Sequence, residues 1–403
     1  MKICAVTTWL PYRDGVSLYS AQLYEHISKK AEVIVLANII DSLTSNEKIL
    51  SVPGYYRVIR CWKRGDFLYP FKIFSKVLME KPSLIHLQYG WLLYGDKLSP
   101  LLFPLLLLLL RLTKRPVIVT MHTIIGNRPR LYENRMINFM AKAIIIFLTK
   151  AIVNISNKII VHNSLMKKTL ENLYSLHKYS WKIVVIPHGV REAPKKLRKP
   201  RRRKTTIILS LGFVRKGKGI EYLIEAFRRF SDNHPKATFI IVGGKHAHDS
   251  DEYIKLIKNM LLSNGTKNII FVGFVDEEKL DRLILESDII VLSSLERWYV
   301  EASGSLARVA MYGKPIVCSR VPKFEIDLKD REDCVMVNPD DPKELTEALL
   351  LLASNKSLCR KIGRNLMKKF KDRTWSKVSK QHIELFRSSL KGYWAGESQR
   401  MLS

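Results

Sequence analysis

Short apolar runs and helix-period segments alternate along almost the whole chain, and this alternation limits the fold more than any other feature. Runs at 2–8, 33–37, 84–87 and 117–121 are too short for helices and apolar on both faces, the pattern of strands buried in a parallel sheet. Between and after them the spacing predicts a glycine-bearing turn at 11–17, a helix over 18–28, a short strand near 56–59, a helix around 100–112, a strand at 159–161, a helix over 165–173 and a strand at 183–186. The alternation then stops. Residues 191–204 are dense in positive charge, hold two prolines and lack apolar periodicity, so they read as a linker. It restarts with strands at 207–211, 238–242, 269–272, 289–292 and 316–318, interleaved with helices over 220–230, 251–262, 277–286, 304–312 and 342–353. The expected fold class is α/β, as two Rossmann-like domains facing across a cleft. The first would span 1–190 with a returning helix at 375–403, and the second 205–374.

The most informative stretch opens the second half. A buried strand ends at Gly212, a basic turn follows through Arg215, Lys216, Gly217, Lys218 and Gly219, and a helix begins with Ile220, Leu223, Ile224 and Phe227 on one face. Strand, glycine turn and helix N-terminus form an anion site, because outward N–H groups and the helix dipole favour negative charge. Lysine and arginine add charge and forked hydrogen bonds to phosphate. A P-loop is the first rival, since Gly212, Gly217 and Lys218 match its opening. Gly219, however, stands where a metal-holding Ser or Thr must be.

Charge is lopsided: 68 Lys+Arg against 37 Asp+Glu gives +31, which predicts attraction to anionic lipid, phosphorylated ligands or nucleic acid. The five cysteines are scattered without a C-x-x-C pair and read as reduced thiols of a cytoplasmic protein. The N-terminal apolar run is broken by Thr7, Thr8 and Pro11 and reads as a strand, not a signal peptide. No unbroken apolar run reaches bilayer-spanning length. A core helix is the expected account of 136–155, which carries Lys142 and Lys150, with a seat on an anionic membrane as its rival.

The order of motifs resembles a retaining GT-B glycosyltransferase of family 4 (group 1) over nearly the whole length. Asp14-Gly15-Val16-Ser17 is similar to the family's first glycine turn, Leu84 to Gln88 to its V-I-H-x-H strand end with Gln88 for the second histidine, and Val119 to Thr123 to the strand bearing its active-site histidine. Gly212 to Gly219 resembles the donor loop, and Thr374-Trp375 the pair before the final helix. The departure is at the paired glutamates: Arg308 stands at the second position and Val300 at the first, with Glu301 one residue along and Glu296 as fallback.

The resemblance implies His122 and Glu301 as catalytic residues. It also implies Gly212, Arg215, Lys218, Ser303, Gly304 and Ser305 as donor-binding, Gly15 and Ser17 on the acceptor side, and no metal ligands or cofactor. His86, His162 and His188 are expected to be structural, and His248, Asp249 and Asp251 solvated. A nucleotide-sugar donor and a glycan or lipid-linked acceptor are the implied partners, at an anionic membrane surface or in the cytoplasm, and nucleic acid is not expected. Two other readings stand beside this one. One is a GT-B nucleotide-sugar epimerase. The other is a non-catalytic polyanion- or membrane-binding protein on a degenerate scaffold.

Overall fold

The computed structural model describes residues 1–41, 49–52, 56–96, 98–126, 134–194, 205–245, 251–263 and 268–401. Most of the expected linker, 195–204, lies outside them, as do His248 and Asp249. The chain divides into two compact units. One comprises Met1–Gly189, Trp298–Ala302 and Trp375–Ser403; the other comprises Val190–Arg297 and Ser303–Thr374.

The first unit is built on β1 (Lys2–Thr7), β2 (Glu32–Asn38), β3 (Ile49–Val52), β4 (Tyr56–Trp62), β5 (Leu84–Tyr89), β6 (Val117–Met121), β7 (Thr123–Ile125), β8 (Lys158–Val161) and β9 (Ile183–Val185). The main sheet runs β3-β4-β2-β1-β5-β6-β8-β9, parallel throughout except where β3 meets β4. Every residue of β1 after Lys2 is buried, and the two-residue period divides them. Cys4 and Val6 join Ile34, Leu36, Ile85 and Leu87 in one core, while Ile3 and Ala5 join Val33, Val35 and Ile118 in another. Two cores on two faces are what unbroken apolar strands require.

The first helix begins at Gly15, three residues earlier than its apolar spacing suggests. Asp14 is its N-cap in a reciprocal capping box with Ser17, so the expected glycine turn is a helix start. Helices Tyr69–Glu80 and Lys356–Phe370 have no counterpart in the sequence reading. Pro70 in the first turn conceals the one, although a helix start tolerates proline. The other is lysine-rich, with buried Ile362, Leu366 and Phe370 only every fourth residue.

The second unit carries β10 (Ile207–Leu211), β11 (Thr238–Val242), β12 (Ile269–Gly273) and β13 (Ile289–Leu292). Next in the chain comes β14 (Tyr299–Glu301), which pairs antiparallel with β7 and clusters with the first unit. β15 (Ile316–Ser319) and β16 (Val335–Val337) then complete the second sheet. Its order is β12-β11-β10-β13-β15-β16, all parallel. Numbered within the unit this is 3-2-1-4-5-6, the doubly wound order, and connections leave β10 and β13 in opposite directions. A crevice therefore opens at their C-terminal ends.

Candidate donor site and the histidine cluster

Two adjoining shallow hollows occupy that crevice. Lys218 and Ser293 line both. The second hollow is walled by Gly212, Phe213 and Ser305; the first extends to Asn338, Pro339 and Asp340 beyond β16. The floor is tight because the glycine-bearing strand ends touch. A Cβ on Gly212 would stand 2.9 Å from the Ser305 hydroxyl, and one on Gly243 would stand 1.8 Å from the Gly212 carbonyl oxygen. Lys218 closes a single 3-10 turn, Lys216–Lys218, directly before the helix Ile220–Asn233. The sequence thus places an ammonium group at a strand-end crevice beside a 14-residue helix N-terminus.

Arg215 does not face that crevice alone. Its Nη1 and Nη2 donate to Glu296 Oε1 and Oε2 at 2.6 and 2.8 Å, a forked pair. Lys323, one of the most deeply buried charged residues of the chain, donates to Glu296 Oε2 at 2.8 Å. Burial raises the Glu296 carboxyl, but the Lys323 and Arg215 charges outweigh it and hold the group at about 2. Lys323 is the residue of this site that sequence reasoning passed over, because a lysine inside a Val-Pro-Lys-Phe turn carries no pattern.

Replacing Glu296 by glutamine removes the carboxylate from a buried cation, and urea titration at pH 7 should show a loss of about 3 kcal/mol. The sign in pH follows from the depressed value. The pair stabilises fully above the unfolded carboxyl range near 4.5, and its contribution is lost as pH falls towards about 2. An unfolding free energy unchanged by the substitution would dismiss this pair as a stabilising element.

Ser303 is the N-cap of the short helix Gly304–Val309, its hydroxyl accepting from the Leu306 N–H at 3.2 Å. Gly304 is the first helical residue, and Ser305 turns back to the Gly212 crevice.

In the first unit, His122 directly follows β6, a half-buried side chain with both ring nitrogens engaged. His122 Nε2 lies 2.7 Å from the Gln88 amide oxygen, and Nδ1 lies 3.2 Å from His162 Nε2. His162 Nδ1 faces the Ile186 carbonyl at 3.2 Å, and a carbonyl only accepts, so Nδ1 carries the proton. A neutral His162 therefore has only a lone pair at Nε2, and a neutral His122, with one ring proton, can donate to the Gln88 amide oxygen or to His162 but not to both. Burial first, then His162 and His188, press the His122 imidazole well below its ordinary range, so it is neutral near pH 7. Gln88 links this pair to Tyr24, which meets His86 Nδ1 at 2.9 Å. The substitution of glutamine for histidine at position 88 thus ties two buried polar networks together.

Glu301, distant in sequence, is brought by strand pairing to Thr123, the residue after His122. β14 sets Glu301 opposite Thr123, whose hydroxyl donates to Glu301 Oε2 at 3.1 Å. Gly15 is exposed at its helix start. Ser17 is buried, and its hydroxyl donates to the Tyr12 carbonyl at 2.6 Å. Among the described residues no three His, Cys, Asp or Glu side chains converge as a metal site.

The chain is similar to known proteins. Residues 13–193 match the family described as Glycosyltransferase Family 4, and residues 191–369 match Glycosyl transferases group 1. The chain belongs to this glycosyltransferase family. An uncharacterized glycosyltransferase of Methanocaldococcus jannaschii is 25% identical over 187 residues, which is 46% of this chain and 45% of that protein. The chain thus matches about half the length of such curated relatives. Among solved structures, sucrose-phosphate synthase from Thermosynechococcus elongatus has a TM-score of 0.75 at 19% identity, covering 97% of this chain and 100% of its own. HepE of Anabaena in complex with UDP has a TM-score of 0.68 at 15% identity, covering 96% and 100%. These likenesses show the GT-B fold.

Within this glycosyltransferase Arg308, at the second-glutamate position, lines neither hollow. It donates to Glu277, which Arg191 also engages, while Asp281 accepts from Arg191 at 2.6 Å and from the Tyr312 hydroxyl at 2.6 Å. Arg308 is thereby a member of an ion network on the helix Glu277–Glu286.

Proposed function

We propose that the protein transfers a sugar from a nucleotide-sugar to a glycan or lipid-linked acceptor, with retention and without a metal ion. The observation that carries this reading is Lys218, shared by both hollows at the switch point of the second sheet. A departing nucleoside diphosphate develops negative charge, and a fixed ammonium beside a helix N-terminus stabilises it where it forms. Gly212, Gly304 and Ser305 let the phosphates approach the backbone closely, and Ser303 fixes the start of the helix that presents them. Arg215 is held by Glu296 and joins phosphate binding by exchanging one acceptor for another. Glu301 accepts hydrogen bonds from sugar hydroxyls. His122 shapes the sugar side as a neutral imidazole, and the Gly15 helix start faces the acceptor. HepE was solved with UDP and with UDP-glucose, so uridine nucleotides are the first donors to try.

Thermal shift with nucleoside diphosphates and nucleotide-sugars tests this directly. A saturable rise in Tm with one nucleotide is expected, lost in Lys218→Ala, with a fall in kcat/KM of about 10²–10³-fold once an acceptor is found. Glu301→Gln should retain diphosphate binding and lose turnover. No shift with any nucleotide, alongside salt-sensitive binding to RNA, would replace the transferase reading with that of a polyanion binder.

A further inference from the structure

Helix Arg135–Ile155 has 21 residues and is long and apolar enough to cross a bilayer. Lys142 and Lys150 interrupt its apolar run, which is why the sequence suggests a core helix instead. Only half of that expectation holds. Ile145, Leu148, Ile152 and Val153 are buried on one side, whereas Met136, Phe139, Met140 and Phe147 are 70%, 71%, 58% and 69% exposed. Met136, Met140 and Ile144 form one row at four-residue spacing, and Phe139, Ala143 and Phe147 form the next. Rows at that spacing are neighbours on a helix surface, so the exposed apolar side chains make one continuous strip. Ordinary surface helices turn charge outward; this one turns methionine and phenylalanine outward. Contiguous apolar surface of this kind marks a partner.

The charge around the strip names the partner's chemistry. Between Asp96 and Glu192 the only acidic residues in the sequence are Glu133 and Glu171. Glu171 is already met by the Ser180 hydroxyl at 2.5 Å and by Lys167 at 3.9 Å. Arg135 and Lys150 are exposed on the helix itself. At its C-terminal end Lys182 donates to the Asn154 carbonyl at 2.9 Å, and Trp181, 66% exposed, lies against Lys158 and Lys182 at 4.9 and 5.5 Å from the ring. The neighbouring helix Phe103–Arg111 adds exposed Leu108 and, just beyond it, Leu112. Apolar side chains bordered by lysine, an exposed tryptophan among cations and almost no acid fit an anionic lipid surface. A nucleic acid would be met by the charge and could stack on the phenylalanines, but it would leave exposed Met136, Met140, Ile144 and Leu112 without an apolar partner.

We propose that the exposed strip of helix Arg135–Ile155, with Trp181 at its end, seats the first unit on an anionic membrane. The helix lies flat. Its other face is fixed in the protein core, so the strip inserts about 5–10 Å into the headgroup boundary rather than spanning it. The cations at its border hold lipid phosphates and are screened by salt.

Flotation of the full chain with vesicles of phosphatidylcholine, with and without phosphatidylglycerol, tests the proposal without any donor or acceptor. Binding to the anionic vesicles is expected, weakened by salt and weakened about tenfold or more in Phe139→Gln/Phe147→Gln. Both side chains are exposed, so Tm should stay unchanged and loss of binding is not loss of fold. Lys142→Gln/Lys150→Gln should weaken binding to anionic vesicles only. Flotation of the phenylalanine variant equal to the parent would overturn the proposal, as would equal binding of the parent to neutral vesicles. A dimer in light scattering that the same variant dissociates would also overturn it, making the strip a contact between copies.

Discussion

Replacing Gly243 by alanine should lower the unfolding free energy by about 4 kcal/mol and abolish nucleotide binding together with it. Two costs add. The residue has φ +133°, a conformation that side-chain-bearing residues adopt at a cost of about 1–3 kcal/mol. The added Cβ would also stand 1.8 Å from the Gly212 carbonyl oxygen, a backbone atom with no rotamer to yield. Overpacking of this kind costs a further 1–3 kcal/mol or so. The strand ends are mutually fixed: Gly212 N–H donates to the Val242 carbonyl at 3.0 Å, Gly243 N–H to Gly273 at 2.8 Å, and Val214 N–H to Gly244 at 2.9 Å. Relief of the collision must therefore move Gly212, and with it the loop that carries Lys218. Urea denaturation of the variant checks the first claim and the thermal-shift screen the second. A loss under 1 kcal/mol would mean that the crevice floor yields freely and that the contact does not shape the site.

Acidification should destabilise the first unit by about 5 kcal/mol between pH 6 and pH 5. Burial presses His86, His122, His162 and His382 below the ordinary imidazole range, His162 to about 3 and His382 to about 4. The unfolded chain takes up these protons near pH 6.5, whereas the folded chain does not. Stability is therefore full above that value and falls as pH drops, at about 1.4 kcal/mol per pH unit for each histidine, until the folded values are reached. Tyr19 sits at the centre of this cluster, 4.7 Å from the His122 ring, 5.1 Å from those of His162 and His188 and 5.2 Å from Trp375. All seven tryptophans belong to the first unit, so their fluorescence in urea at pH 7.5, 6 and 5 follows this unit selectively. A midpoint that does not move with pH would show that the histidines titrate normally and are reached by water.

Much of the architecture was legible in the chain because it rests on local physics. Apolar runs buried on both faces can only be strands of a covered parallel sheet, and the turn from Gly212 to Gly219 needs no distant residue to be read as a basic glycine turn between strand and helix. Helix ends were less legible. Asp14 and Ser17 act through a side-chain cap that apolar spacing does not register, and helix Lys356–Phe370 declares itself by one buried residue per turn.

What the sequence could not supply are relations between distant residues. Glu296 reads as one acid among many until Arg215 and Lys323, on separate elements, close around it and lower its carboxyl. Glu301 stands opposite Thr123 only because β14 pairs with β7. The outward face of helix Arg135–Ile155 was likewise undecided, since an all-round apolar helix packs equally well with either side inward. The strands of the first sheet selected one side and left the other in water. Period and turn chemistry are properties of neighbouring residues, and the sequence by itself determined most of the elements and the basic glycine turn before helix Ile220–Asn233. Ion pairing, strand partnership and the choice of buried face depend on which surfaces meet, and these only the tertiary structure decided.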